Sequence, residues 1–247
     1  MPLDAVADRV ICITHLLSGG LAVTQGSSSP LEAQVQARTA GFAYLATIAA
    51  GLFAEVYVRS LVRGGDFKAT GERLQELEQL HRVGVLADGV MLVSYVVVTA
   101  MLYRLFKPFS PTASVLAALF SLVGIAMLAA AMPILLLPTQ MDGASVAYDA
   151  LRAHSAAFNL TGLFFGPYCA VIGWMVVRSG WLPAWIGWLM LAAGAAFVFD
   201  AAVELTAPYV ARRIPEGVML ISLVAEGSLA VWLAAFGVQR RGRRATA

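Results

Sequence analysis

Residues 82–106, RVGVLADGVMLVSYVVVTAMLYRLF, decide the fold. From Val83 to Tyr103 the stretch carries one charge, Asp88. A helix rises about 1.5 Å per residue, so about 20 apolar residues cross a hydrocarbon core about 30 Å thick. The run is far longer than an ordinary strand. Working outward, five further stretches have the same character, at about 38–62, 112–137, 153–177, 181–207 and 215–238. Breakers stand between them: Gly64 and Gly65, Pro108 and Pro111, Pro138, Gly180 and Pro183, then Pro208 and Pro215. Pro133 predicts a kink in the third stretch. The expected fold class is all-α, a polytopic membrane protein built as a bundle of six transmembrane helices.

Composition agrees. Of 247 residues, 60% are hydrophobic and 13% charged, and the mean hydropathy is +0.77. A soluble domain carries about 25% charged residues. Cys12 and Cys169 are far apart and match no metal or disulfide spacing. The net charge of +2 is small, but Arg240, Arg241, Arg243 and Arg244 crowd one end. After a hydrophobic helix that cluster reads as a cytoplasmic anchor near anionic lipid, not as a nucleic-acid patch.

Residues 1–37 read as a peripheral or poorly ordered extension. Val10 to Thr24 is too short to span, and Asp4 and Asp8 precede Arg9, so the basic start of a signal peptide is lacking. A cleaved signal is the alternative. Residues 38–238 form the expected six-helix domain, and 239–247 a basic cytoplasmic tail. The acidic linker containing GERLQELEQL reads as an amphipathic helix on the membrane surface.

Five carboxylates lie inside the apolar stretches: Glu55, Asp88, Asp200, Glu204 and Glu226. Each charge at the bilayer centre costs roughly 2.5–3.5 kcal/mol, so their retention points to a polar interior. Threading the helices in order brings all five, with Asn159, toward one side of the membrane. Glu55 and Arg59 are spaced i,i+4 and can pair. Asp200 and Glu204 share that spacing, so two carboxylates occupy one helix face and need a proton or a cation between them. His81, Asp88 and Tyr95 repeat every seven residues on one face. Ser155, Asn159, Gly162, Gly166, Cys169 and Gly173 form a small-residue stripe suited to close helix approach. Trp174, Trp181, Trp185 and Trp188 read as an interfacial belt.

Six spans place both termini on one side. Lys and Arg divide nine to eight between the sides, and acids dilute the smaller set. The expectation is a multi-pass protein of the cell inner (plasma) membrane with both termini cytoplasmic and the carboxylates in the outer half.

No phosphate-binding glycine loop, HExxH, CxxC or GxSxG motif is present. The stretches RTAGFAYLATIAAGLFAEVYVRSLV, HRVGVLADGVMLVSYVVVTAMLYRLFKP and AHSAAFNLTGLFFGPYCAVIGWMVVRSGWLPAWIGWLMLAAG resemble a family of small bacterial integral membrane proteins. It is domain-of-unknown-function family 4386, and AEVYVR, the Leu-Ala-Asp of the second helix, AHSxxFN and RSGWLP carry the resemblance. It covers about 38–238 and implies a multi-helix membrane protein, with no activity or cofactor attached.

Three functions remain open from the residues. The first is a pocket for a small ligand or cation, transport-like or proton-coupled, formed by Glu55, Asp88, Asn159, Asp200, Glu204 and Glu226. The second is a non-catalytic bundle whose polar network fixes helix packing. The third is a membrane-embedded metal-dependent hydrolase using His81 and His154, whose residue types suit Zn²⁺. Both histidines fall at helix mouths, shallower than the carboxylates, where solvated side chains are the simpler reading.

Overall fold

Ser29 starts the first helix of the computed structural model, which describes residues 29–141, 143–207, 209 and 217–239. The Glu32 N–H donates to Ser29 Oγ (3.2 Å), and the Ser29 N–H donates to the Glu32 carboxylate (3.0 Å). This reciprocal box satisfies two N–H groups that a helix start leaves open. Pro30 follows at the first helical position, where its missing N–H is harmless. Helix α1 therefore runs Pro30–Val62, beginning eight residues before the expected start near Arg38. The short run Val10 to Thr24 and the C-terminal arginines lie outside the described residues.

Within α1, Leu52–Val58 is a π-helical stretch. The wider i→i+5 turn re-phases the helix face locally, and Glu55 lies in it. α2 (Phe67–Glu76) is capped by Asp66, whose side chain accepts from the Ala69 N–H at 2.8 Å. α3 spans Glu78–Phe106 and α4 Pro111–Ala131. At Pro133, where a kink is expected, α4 has passed into a 3₁₀ stretch, Met132–Thr139, because proline removes an N–H donor. The expected fourth segment is two helices, α5 (Ala144–Leu160) and α6 (Gly162–Ser179), joined at Thr161. α6 ends at Gly180, whose left-handed φ of +65° suits a residue without Cβ. α7 is Ala184–Thr206 and α8 Gly217–Ala235.

Six helices close a ring in chain order. α3 packs on α1 and α4, α6 on α4 and α7, and α8 on α7 and α1. The closure is tight, since a Cβ on Gly41 of α1 would lie 2.2 Å from the Ala234 backbone nitrogen of α8. Gln34 locks the same seam. Its amide donates to the Phe236 carbonyl (2.9 Å) and accepts from the Val238 N–H (3.1 Å).

The small-residue stripe on α6 meets α7. A Cβ on Gly166 would come within 2.8 Å of the Gly194 carbonyl, and one on Gly173 within 2.6 Å of the Gly187 carbonyl. Bare backbone on both sides lets the helices touch.

α2 and α5 pack together, and α5 also contacts the 3₁₀ stretch. A satellite core of Val62, Leu74, Val85, Leu135, Ala147 and Leu151 fastens this end. The linker helix thus docks its Thr70–Leu74 side onto the bundle.

Five stretches are long and apolar enough to cross a membrane: α1, α3, α4 with its 3₁₀ extension, α5 with α6, and α7. The apolar part of α8, Leu220–Ala235, is shorter. Large apolar side chains such as Leu86, Val93, Leu119 and Phe199 point outward, as they would toward lipid. Trp174, Trp185 and Trp188 are likewise exposed near the α6–α7 turn.

Candidate functional site

The ring encloses a cavity of about 500 Å³. α1 contributes Thr47, Glu55, Arg59 and Arg63 to its wall, α3 contributes Asp88 and Tyr95, and α5 contributes Ser155 and Asn159. α7 supplies Asp200, and α8 supplies Ser222 and Glu226. Apolar side chains fill the gaps, among them Ile48, Leu92, Leu128, Phe158, Phe165 and Phe197. Of the six residues singled out from sequence, Glu55, Asp88, Asn159, Asp200 and Glu226 therefore line one space. Glu204 is not on the wall, but the Asn159 amide donates to its Oε2 at 3.3 Å.

Arg59 organises one end. It is 3% exposed. Its Nη1 donates to Glu55 Oε2 at 2.8 Å, across the expected i,i+4 spacing, and its Nη2 pairs with Asp88 of α3. Burying a guanidinium demands such partners, because an unpaired ion in low dielectric is strongly penalised. Arg63 adds a second layer, donating to Glu55 Oε1 and Ser155 Oγ, both at 2.7 Å. It is half-exposed and ties α1 to α5 at the cavity mouth.

The deep end is built differently. The Cys169 thiol donates to Glu226 Oε1 at 3.6 Å. Tyr44 and Tyr95 bring their hydroxyls within 3.4 Å. Tyr95 stacks on Phe165 with centroids 5.1 Å apart and meets Tyr168 edge-on. Cys169 thus turns inward to a carboxylate, while its stripe neighbours Gly166 and Gly173 face α7. Tyr44 and Tyr168 were not singled out from sequence. Tyr44, Ile48, Gly51 and Glu55 do recur at helical spacing, and that pattern marks the inward face of α1.

The charges do not balance. Four wall carboxylates, Glu55, Asp88, Asp200 and Glu226, face two guanidiniums, Arg59 and Arg63. The guanidiniums are engaged by Glu55 and Asp88. Among the described residues no hydrogen bond or ion pair reaches Asp200, and no cation reaches Glu226.

The histidines depart from the expectation of solvated side chains. Each is 1% exposed, because α2, α5 and the 3₁₀ stretch cover that end of the bundle. His81 Nε2 donates to the Leu135 carbonyl at 2.8 Å. Both ring nitrogens of His154 are buried without a partner. Neither histidine lines the cavity, and among the described residues no three His, Cys, Asp or Glu side chains converge as metal ligands. The hydrolase reading therefore lacks a ligand set among those residues.

Fold and site together define a class: a polytopic helical membrane protein with a polar cavity inside its helix ring. Within that class the chain belongs to the family described as Domain of unknown function (DUF4386), whose model matches residues 39–237. An uncharacterized protein of Archaeoglobus fulgidus is 29% identical over 105 residues, 42% of this chain. The chain spans about 57% of that relative's length. No solved structure matches.

Proposed function

We propose that this protein binds a small ligand in the cavity between its helices. One observation carries the reading. Polar side chains from α1, α3, α5, α7 and α8 converge on a single space of about 500 Å³, while the outward faces are apolar. That volume lies in the range of small-molecule sites, about 300–1,000 Å³, and the mostly apolar wall with a few polar groups is typical of them. A transport-like or proton-coupled role fits the same residues. On this reading the protein is a multi-pass protein of the plasma membrane with both termini cytoplasmic, supported by the Lys and Arg distribution.

A packing role has its own support, since Arg59 ties α1 to α3 through buried ions. The two readings separate in a thermal-stability screen of purified protein against small molecules, cations and lipids. A ligand bound only to the folded state raises the melting temperature by mass action. The binding reading expects stabilisers for the wild type that no longer act on Leu223→Trp, which fills the cavity from α8. Stabilisers that act equally on both proteins, or none at all, favour packing.

A further inference from the structure

We infer that the cavity is built for an organic cation: one ammonium group on an apolar body. The inference rests on the ligand-binding reading and adds the chemical class. Two observations on different groups lead to it.

The first is the charge distribution along the wall. Both guanidiniums sit at one end of the wall, Arg59 buried and Arg63 half-exposed, and are engaged by Glu55 and Asp88. Asp200 on α7 and Glu226 on α8 have no cation among the described residues. Any anion entering the cavity would meet two carboxylates with no cation beside them among the described residues, and like charges repel. An ammonium group between α7 and α8 would relieve both.

The second is the lining. Phe158, Phe165, Phe197, Leu92, Leu128 and Ile48 offer apolar and aromatic surface between the polar groups of the wall. Aromatic faces attract an organic cation, whereas a bare metal ion takes a shell of oxygen or nitrogen donors. A volume of about 500 Å³ also exceeds the needs of a single ion.

The test uses three probes with one skeleton, 4-phenylbutylamine, 4-phenylbutanol and 4-phenylbutyrate, titrated against purified full-length protein at pH 7 by thermal shift and isothermal calorimetry. The amine should bind at least about tenfold tighter than the alcohol, and the acid should not bind. The amine should lose about tenfold on Asp200→Asn or Glu226→Gln, and the alcohol should lose nothing. Equal binding of amine and alcohol, or preference for the acid, overturns the cation inference while leaving the pocket standing. Failure of all three probes overturns it as well. If Leu223→Trp also leaves every stabiliser unaffected, the ligand-binding reading falls with it. The wild-type comparison needs no variant, so a misfolded substitution cannot hide the answer.

Discussion

Arg59 and Asp200 are both ionisable groups within spanning helices, yet they stand in opposite circumstances. Arg59 is buried between two carboxylates on two helices. Removing its charge strands Asp88, which is 4% exposed and has no other cation beside it among the described residues. Breaking a buried pair from one side costs about 3–5 kcal/mol, because the surviving ion keeps its desolvation penalty. Arg59→Met should therefore lower unfolding stability by about that amount, read in a denaturant titration in detergent. A loss under about 1 kcal/mol would mean that water reaches Asp88. Asp200 has no partner among the described residues, so Asp200→Asn should change stability by less than about 1 kcal/mol, the scale of one hydrogen bond. Glu55→Gln should fall between the two, since it loosens Arg59 and Arg63 together but leaves Asp88 paired.

The same logic operates along whole helices, where glycine decides how closely they approach. On α7, a Cβ at Gly194 would sit 2.7 Å from the Gly166 carbonyl and 3.1 Å from the Ala170 nitrogen. Backbone atoms cannot step aside as a flexible side chain can. Gly194→Ala should destabilise by about 1–3 kcal/mol through overpacking. Gly227 on α8 meets nothing within 4 Å, so Gly227→Ala should be neutral or stabilising by up to about 1 kcal/mol, from helix propensity alone. Matched thermal unfolding of the two variants checks the contrast. Equal effects would mean that the α6–α7 contact is looser than the geometry implies. The stripe Gly162, Gly166, Gly173 was readable in sequence because its spacing is helical. Its partner was not, since Gly187 and Gly194 announce themselves only when α7 lies alongside. The π stretch Leu52–Val58 was invisible for a related reason. It holds no glycine or proline of its own, and Gly51 just before it is one small residue in an apolar run. The Pro30 start was missed because the capping box Ser29–Glu32 sits in the stretch 1–37 that reads as a peripheral extension, and a short polar turn carries no hydropathy signal.

At the scale of the whole molecule, the six apolar runs and their breakers were legible, because a hydrocarbon core imposes length and composition on any helix that crosses it. The gathering of Glu55, Asp88, Asn159, Asp200 and Glu226 on one space could be argued only as a common depth. Rotation about each helix axis, which decides whether a residue faces the cavity or lipid, depends on packing partners. α8 is the element on which the architecture turns. Its apolar part is shorter than the other five spans, yet it closes the ring through Gly41 and Gln34 and carries Glu226. Packing so intimate with α1 along its length requires α8 to lie beside a spanning helix, and its exposed Leu220, Val224 and Val231 then face lipid. A sixth crossing puts the α2 loop and the C-terminal tail on opposite sides of the membrane. Single cysteines at Lys68 and Gly242, introduced into a chain with Cys12 and Cys169 changed to Ser, should be labelled by an impermeant maleimide from opposite faces of oriented vesicles. Lys68 is suited to this because its side chain is 76% exposed. Labelling of both positions from one face would make the crossing number odd. α8 would then not span, and Glu226 would lose its place inside a membrane-embedded helix ring.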